Sequence, residues 1–376
     1  YDEEWQIRVD SSGILNVLEG SNITAYDPEY VFLFYVYGRL VMRDSFLSRC
    51  KELCLGTTEG VELYNTTISD NEYDGIVCSG SSDISITGCT ISNNGWDGIV
   101  CSGSSDVSIT DCTISNNRLD GITCEESSDI SITDCTISNK GHGIDCGESS
   151  GISITDCTIS NNGLDGVYCW NLSGINITGC TISNSRCGVY CWNLSGINIT
   201  DCTISNNGSD GIICGYSSDI NITGCTISNN ERGISCGDSS GSITDCTISN
   251  NEYDGIFCSG LSGISITGCT ISNNGWNGIS CYWSSNITVH YCDIYSNQYH
   301  GLYIEGEYVV NATYCWWGSP DGPEYKPMGY RDPYDPEEVY SRDGPEYLLY
   351  KPWLTEPYGL VPEPTGCFLR FLSKTA

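Results

Sequence analysis

Cysteine is the residue type with the most chemistry to offer, and it falls in two columns. Cys78, Cys101, Cys124, Cys146, Cys169, Cys191, Cys214, Cys236, Cys258 and Cys281 form one. Cys89, Cys112, Cys135, Cys157, Cys180, Cys202, Cys225, Cys246, Cys269, Cys292 and Cys315 form the other, with Cys50, Cys54, Cys187 and Cys367 outside both. A cysteine metal site wants close pairs with companions, and only Cys50/Cys54 and Cys187/Cys191 approach that spacing, each alone. Neighbours in one column stacked at the ~4.8 Å spacing of paired strands fall inside the Cα window of about 4.4–6.8 Å for a disulfide. The expectation is ladder disulfides one repeat apart, at least eight among the 25 cysteines, with Cys187 left over. Bridges across the interior and free stacked thiols are the alternative arrangements.

Carboxylates and histidine supply less. Asp74, Asp97 and Asp120 form one acidic column and Asp83, Asp106 and Asp129 another, and weak Ca²⁺ binding between them is the only cofactor chemistry they suggest. A lyase-type site would need such carboxylates beside a basic residue able to take a C5 proton. Arg118, Lys140, Arg186 and Arg232 are instead scattered singly at corners, and His142 takes the repeat position held elsewhere by Asp97, Asp120, Asp165 and Asp210. No catalytic centre is expected, and the chain reads as a non-enzyme. Asn-x-Ser/Thr sequons open at Asn22, Asn65, Asn171, Asn176, Asn193, Asn198, Asn207, Asn221, Asn286 and Asn311, so a glycan coat is expected. Tyr168, Trp170, Tyr190 and Trp192 stack on adjacent repeats as a contact patch for sugar or protein.

The elements that position these residues are repeats. Gly-(Ile/Val)-x-Cys recurs with its aliphatic residue at Ile76, Ile99, Ile122, Ile144, Val167, Val189, Ile212, Ile234, Ile256 and Ile279, at gaps of 22 or 23 residues. Cys-Thr-Ile-Ser-Asn and Ile-x-Ile-Thr recur between them, and all three alternate apolar with polar residues as strands do. Ser-Gly-Ser-Ser-Asp and Asn-Asn-Gly-Trp-Asp-Gly clusters separate them with turn chemistry. Three short strands per repeat close one coil of a parallel β-solenoid. Ile84, Ile86, Cys89, Ile91, Ile99 and Cys101 then point inward. Asn93, Asn116, Asn139, Asn161, Asn184, Asn206, Asn229, Asn250 and Asn273 are expected to face in as an amide ladder. Coils one residue short lose it at a corner, where Lys140–Gly143 stands against Asn94–Gly98, because a slip within a strand would turn the core outward.

Net charge is −33 with Lys and Arg at only 15, which removes nucleic acid as a partner. No run of about 18 apolar residues spans a membrane. The start at Tyr1 without a leader reads as a processed terminus, and the cysteine content points to an oxidising, extracellular or cell-surface location.

The repeats resemble those of right-handed parallel β-helix proteins of the NosD-like, carbohydrate-binding and sugar-hydrolase repeat class. Asn311-Ala-Thr-Tyr-Cys-Trp316-Trp317-Gly318, Gly322-Pro323 and Pro352-Trp353-Leu354 are similar to the ending of many secreted members. The resemblance implies an all-β fold, a single right-handed parallel β-helix with capped ends. Its boundaries are a cap and first coils at 1–60, repeats at 61–317, and an irregular C-terminal cap and tail at 318–376. Gly141-His142-Gly143 is similar to the Gly-His-Gly of β-helical polygalacturonases, but their paired aspartates and Arg-x-Lys are not visible in the sequence. The reading is an extracellular structural or adhesive rod, sharpened to a glycosylated, disulfide-stabilised filament subunit. A carbohydrate-active enzyme (lyase or hydrolase) or polysaccharide-binding module is the alternative. Head-to-tail self-association is assigned to the ends, through Tyr30–Tyr37 and Phe368–Leu372.

Overall fold

The structure is a computed structural model, and it describes residues 5–27, 30–260, 262–325, 338–341 and 348–358. One coil shows the construction. Strands Ile76–Ser79, Ile84–Thr87 and Thr90–Ser92 alternate buried and outward residues, and each pairs in parallel with its counterpart in the next coil. Three sheets result, of 16, 15 and 13 strands, and no helix occurs among the described residues. Register is residue for residue, Ile76 on Ile99 and Cys78 on Cys101, so every inward column continues along the axis.

Short strands are possible because left-handed corners end them. The residue before each second-column cysteine has positive φ, and it is glycine or aspartate over most of the chain: Gly88 at 63°, Asp111 at 54°, Gly179 at 65°. Glycine has no Cβ to obstruct this conformation, and aspartate tolerates it. Asp83, Asp106 and Asp129 are the same kind of residue at another corner, with φ of 60°, 53° and 53°.

The core is isoleucine and cysteine. Ile84, Ile86, Cys89, Ile91, Ile99 and Cys101 are all buried, as the repeat predicts. Trp317 closes the C-terminal end of this core, fully buried and packed on Gly301. The ladder thiols are free; Cys112, for example, donates from Sγ to the carbonyl of Thr110 at 3.2 Å. Cys187 is also buried, and burial beside Asp165 pushes its thiol up to about 12, which suits it poorly to an intermolecular bond.

Two sequence expectations shift by a residue or a layer. The inward amide ladder is Asn94, Asn117, Asn139, Asn162, Asn207, Asn230, Asn251 and Asn274, while Asn93, Asn116, Asn161 and Asn184 turn the corner at positive φ and are exposed. Asn139 alone of the expected set faces in, because its coil drops the left-handed residue. The missing residue thus comes from the turn before the ladder. The apolar strand Phe32–Val36 is not a lid or a free edge: it pairs with Gln6–Val9 on one side and Cys50–Leu55 on the other. Phe368–Leu372 and Cys367 lie outside the described residues.

Candidate functional site

The outward face of the first sheet carries one unlike residue after another. In register along it stand Val77, Val100, Thr123, Asp145, Tyr168, Tyr190 and Ile213. Asp145 is the one carboxylate among the ten Gly-(Ile/Val)-x-Cys repeats. Its Oδ1 is buried without a hydrogen-bond partner. Burial, then the charges of Asp120, Cys146, Glu125 and Asp97, raise its carboxyl to about 7. A carboxylic acid held near neutrality beside other carboxylates is the arrangement general acids need.

A second column flanks this face at the preceding corner, and its members share a structural task. Asp74 accepts the Asp97 backbone N–H at 2.8 Å, Asp97 that of Asp120 at 2.7 Å, and Asp120 that of His142. His142 continues the series with a ring nitrogen: Nδ1 accepts the Asp165 N–H at 3.2 Å, which leaves Nε2 to carry the proton of the neutral ring. Burial lowers the His142 pKa, and the ring stacks on Tyr168 at 4.7 Å. Thr123 ties the two columns by donating its hydroxyl to Asp97 Oδ2 at 3.1 Å. Burial raises Asp97 and Asp120 above their ordinary values, and Asp74 to about 6.

Cations beside this face are engaged. Arg186 grips Asp165 through two bonds of 2.9 and 2.7 Å, and Asp165 is fully buried. Arg232 lies between Asp210 at 4.0 Å and Asp254 at 3.8 Å, over the Phe257 ring. Among the described residues no three His, Cys, Asp or Glu side chains gather as metal ligands, and both acidic columns serve corners instead.

The aromatic patch follows the acid immediately. Tyr168 is the register partner of Asp145, and Tyr190 that of Tyr168 at 5.3 Å between rings. Trp170 and Trp192 pair two residues further on, between Gly147 and Gly215. Of the sequon asparagines, Asn22, Asn65, Asn171, Asn176, Asn193, Asn221 and Asn286 are exposed, and Asn198 and Asn311 half-buried. Asn207 is the exception. It sits in the inward ladder and donates to Asn230 at 3.0 Å, so a glycan has no access to it.

A family model described as "Right handed beta helix region" matches residues 6–128, 120–260 and 233–317. The chain belongs to that family. No curated protein matches it in sequence. Among solved structures it is similar to the periplasmic alginate epimerase AlgG, at 15% identity and TM-score 0.54 over 81% of this chain and 76% of that one. The A-module of the Azotobacter vinelandii mannuronan C-5 epimerase AlgE6 aligns over 91% of both chains, at 11% identity and TM-score 0.37. PfbA, a surface adhesin of Streptococcus pneumoniae, aligns over 84% of this chain and 81% of its own, at 11% and 0.36. Identities this low speak for the shared fold alone.

The similarity to AlgG corrects the non-enzyme expectation, since an epimerase is an enzyme and is built on this fold. That expectation took the coil surface for generic repeat and looked for chemistry at His142. It passed over Asp145, whose signal was a carboxylate in a column otherwise filled by Val, Thr, Tyr, Ile, Ser and Phe. Asp120, whose carboxylate accepts the His142 N–H, is close enough for its charge to raise the Asp145 carboxyl.

Proposed function

We propose that this β-helix is an extracytoplasmic carbohydrate-active protein that cleaves a glycosidic bond at Asp145. The single supporting observation is that carboxyl: raised to about 7, with one buried oxygen unpartnered, where a structural repeat requires only a small or apolar residue. In this reading Asp145 donates its proton to the bridging oxygen as the bond to the anomeric carbon breaks. Asp120, one coil earlier and steadied by the His142 N–H, takes a proton from the attacking water, whose hydroxyl joins the anomeric carbon. His142, on the Asp145 coil, and Tyr168, on the next, wall the site. Exposed sequons and the ladder cysteines support a location outside the cytoplasm.

The test is reducing-end release from a panel of neutral and acidic polysaccharides. Asp145→Asn lowers the turnover number by roughly 10²-fold or more, and Asp120→Asn does likewise. Turnover unaffected by Asp145→Asn, or none on any polysaccharide, overturns the reading.

A further inference from the structure

Two tryptophans beside Asp145 are laid flat by glycines. A Cβ added at Gly147 would meet three atoms of the Trp170 indole, Cε2, Nε1 and Cζ2, at 2.4, 2.5 and 2.6 Å. One added at Gly215 would meet Trp192 Cε3 and Cζ3 at 2.6 and 2.7 Å. Near-equal distances to adjacent ring atoms mean that Trp170 lies face-on over the glycine backbone, which presents its other face outward. In strand order the column reads Gly147, Trp170, Trp192, Gly215, so the indoles splay apart, one toward each end of the solenoid. Trp192 remains 42% exposed, near-parallel to the Tyr190 ring at 17° with centroids 6.4 Å apart, and edge-on to Tyr216 at 4.8 Å. A groove of about 530 Å³ runs alongside, lined by Glu148, Asn171, Asn193, Tyr216 and several serines.

We infer that Trp170 and Trp192 are stacking platforms for the uncharged pyranose rings of a polysaccharide lying along the solenoid axis. This rests on the proposed glycosidic cleavage and names its substrate class. Flat apolar rings bordered by hydroxyls and amides match the C–H face and equatorial hydroxyls of a neutral sugar. Charge decides against a polyuronate. The platform is bordered by Asp145 and Glu148, while Arg186 is bound to Asp165 and Arg232 lies between Asp210 and Asp254. Arg118 and Lys140 stand at the corners that precede Asp120 and His142. Gly147 shares a strand with Asp145, which sets Trp170 beside the cleavage point and Trp192 further along the axis, toward Gly215 three coils on.

The experiment uses the Asp145→Asn full chain, produced without glycans so that its own sequon sugars cannot fill the platform. Calorimetry measures hexasaccharides of glucose and of mannose against a mannuronate hexasaccharide. At least one neutral sugar binds at least tenfold tighter than the uronate. Trp192→Ala weakens that binding about tenfold, and Gly215→Ala, which removes no ring but lifts one off its seat, weakens it comparably. In chain with Asp145 intact, Trp192→Ala raises KM and leaves kcat within about twofold. Tighter uronate binding, no sugar binding at all, or indifference to both substitutions overturns the inference. Neutral-sugar binding without turnover would instead uphold the platform and remove the cleavage reading.

Discussion

Asp145 is a residue whose stability cost and chemical use have one cause. Burial among Asp120, Glu125 and Asp97 makes its charged form expensive, so its folded pKa of about 7 stands above the ordinary 3.8. For a group raised in this way, its contribution to stability is fully present below pH 3.8 and is lost as pH rises to about 7. Asp145→Val, which installs the repeat residue, should therefore raise stability at pH 8 by about 1–2 kcal/mol, a figure discounted for partial exposure, and change little at pH 4. Chemical denaturation at the two pH values measures it; equal effects at both would detach the residue from its titration. His142 makes the opposite point. Its rarity drew notice in the sequence, yet its Nδ1 performs the same corner cap as the aspartates around it. What the sequence could not convey was which oxygens the corners use up, and so which carboxyl is left for chemistry.

Elements here are short enough that single side chains decide where they end. Strand phase and the inward Ile and Cys columns were legible because period-two alternation repeats over so many coils. The polar ladder was misplaced by one residue because two consecutive asparagines, such as Asn93 and Asn94, look alike in sequence and differ only in backbone hand. The true ladder is a structural necessity. Asn117 accepts both the Asn94 backbone N–H at 3.1 Å and its side-chain amide at 2.9 Å, and donates to Asn139 at 2.9 Å. Asn117→Ala should cost about 2–4 kcal/mol by stranding the buried N–H and amide donors of Asn94 and removing one donor to Asn139 Oδ1, whereas Asn116→Ala, at the exposed corner, should cost about 1 kcal/mol or less for its left-handed backbone. The cysteine ladders carry a further expectation. In-register Cβ atoms at ~4.8 Å must close by about 1 Å, to the usual ~3.8 Å, to bridge, giving up their thiol–carbonyl bonds. Peptide mapping of material from an oxidising compartment should find at least eight disulfides among the 25 cysteines, most of them joining column neighbours one coil apart. Mostly free thiols there would contradict it.

At the scale of the whole molecule, the solenoid is a device for aligning unlike residues along an axis. Fold class was readable from repeats alone, because each coil cannot bury its face without the next. Site position was not, since it depends on the register that sets Asp145 between Thr123 and Tyr168 on coils 22 and 23 residues away in sequence. The acid stands at one end of an aromatic row and a carboxylate column flanks it, which gives the groove a direction. A net charge of −33 surrounds it and disfavours anionic chains. The most direct test of the central claim is the pH–rate profile of reducing-end release by the full chain on its best neutral polysaccharide. A general acid at Asp145 predicts a rate that falls roughly tenfold per unit above pH about 7, a limb that Asp145→Asn abolishes along with the activity. A rate that instead climbs through pH 7, with unsaturated product ends, would contradict it.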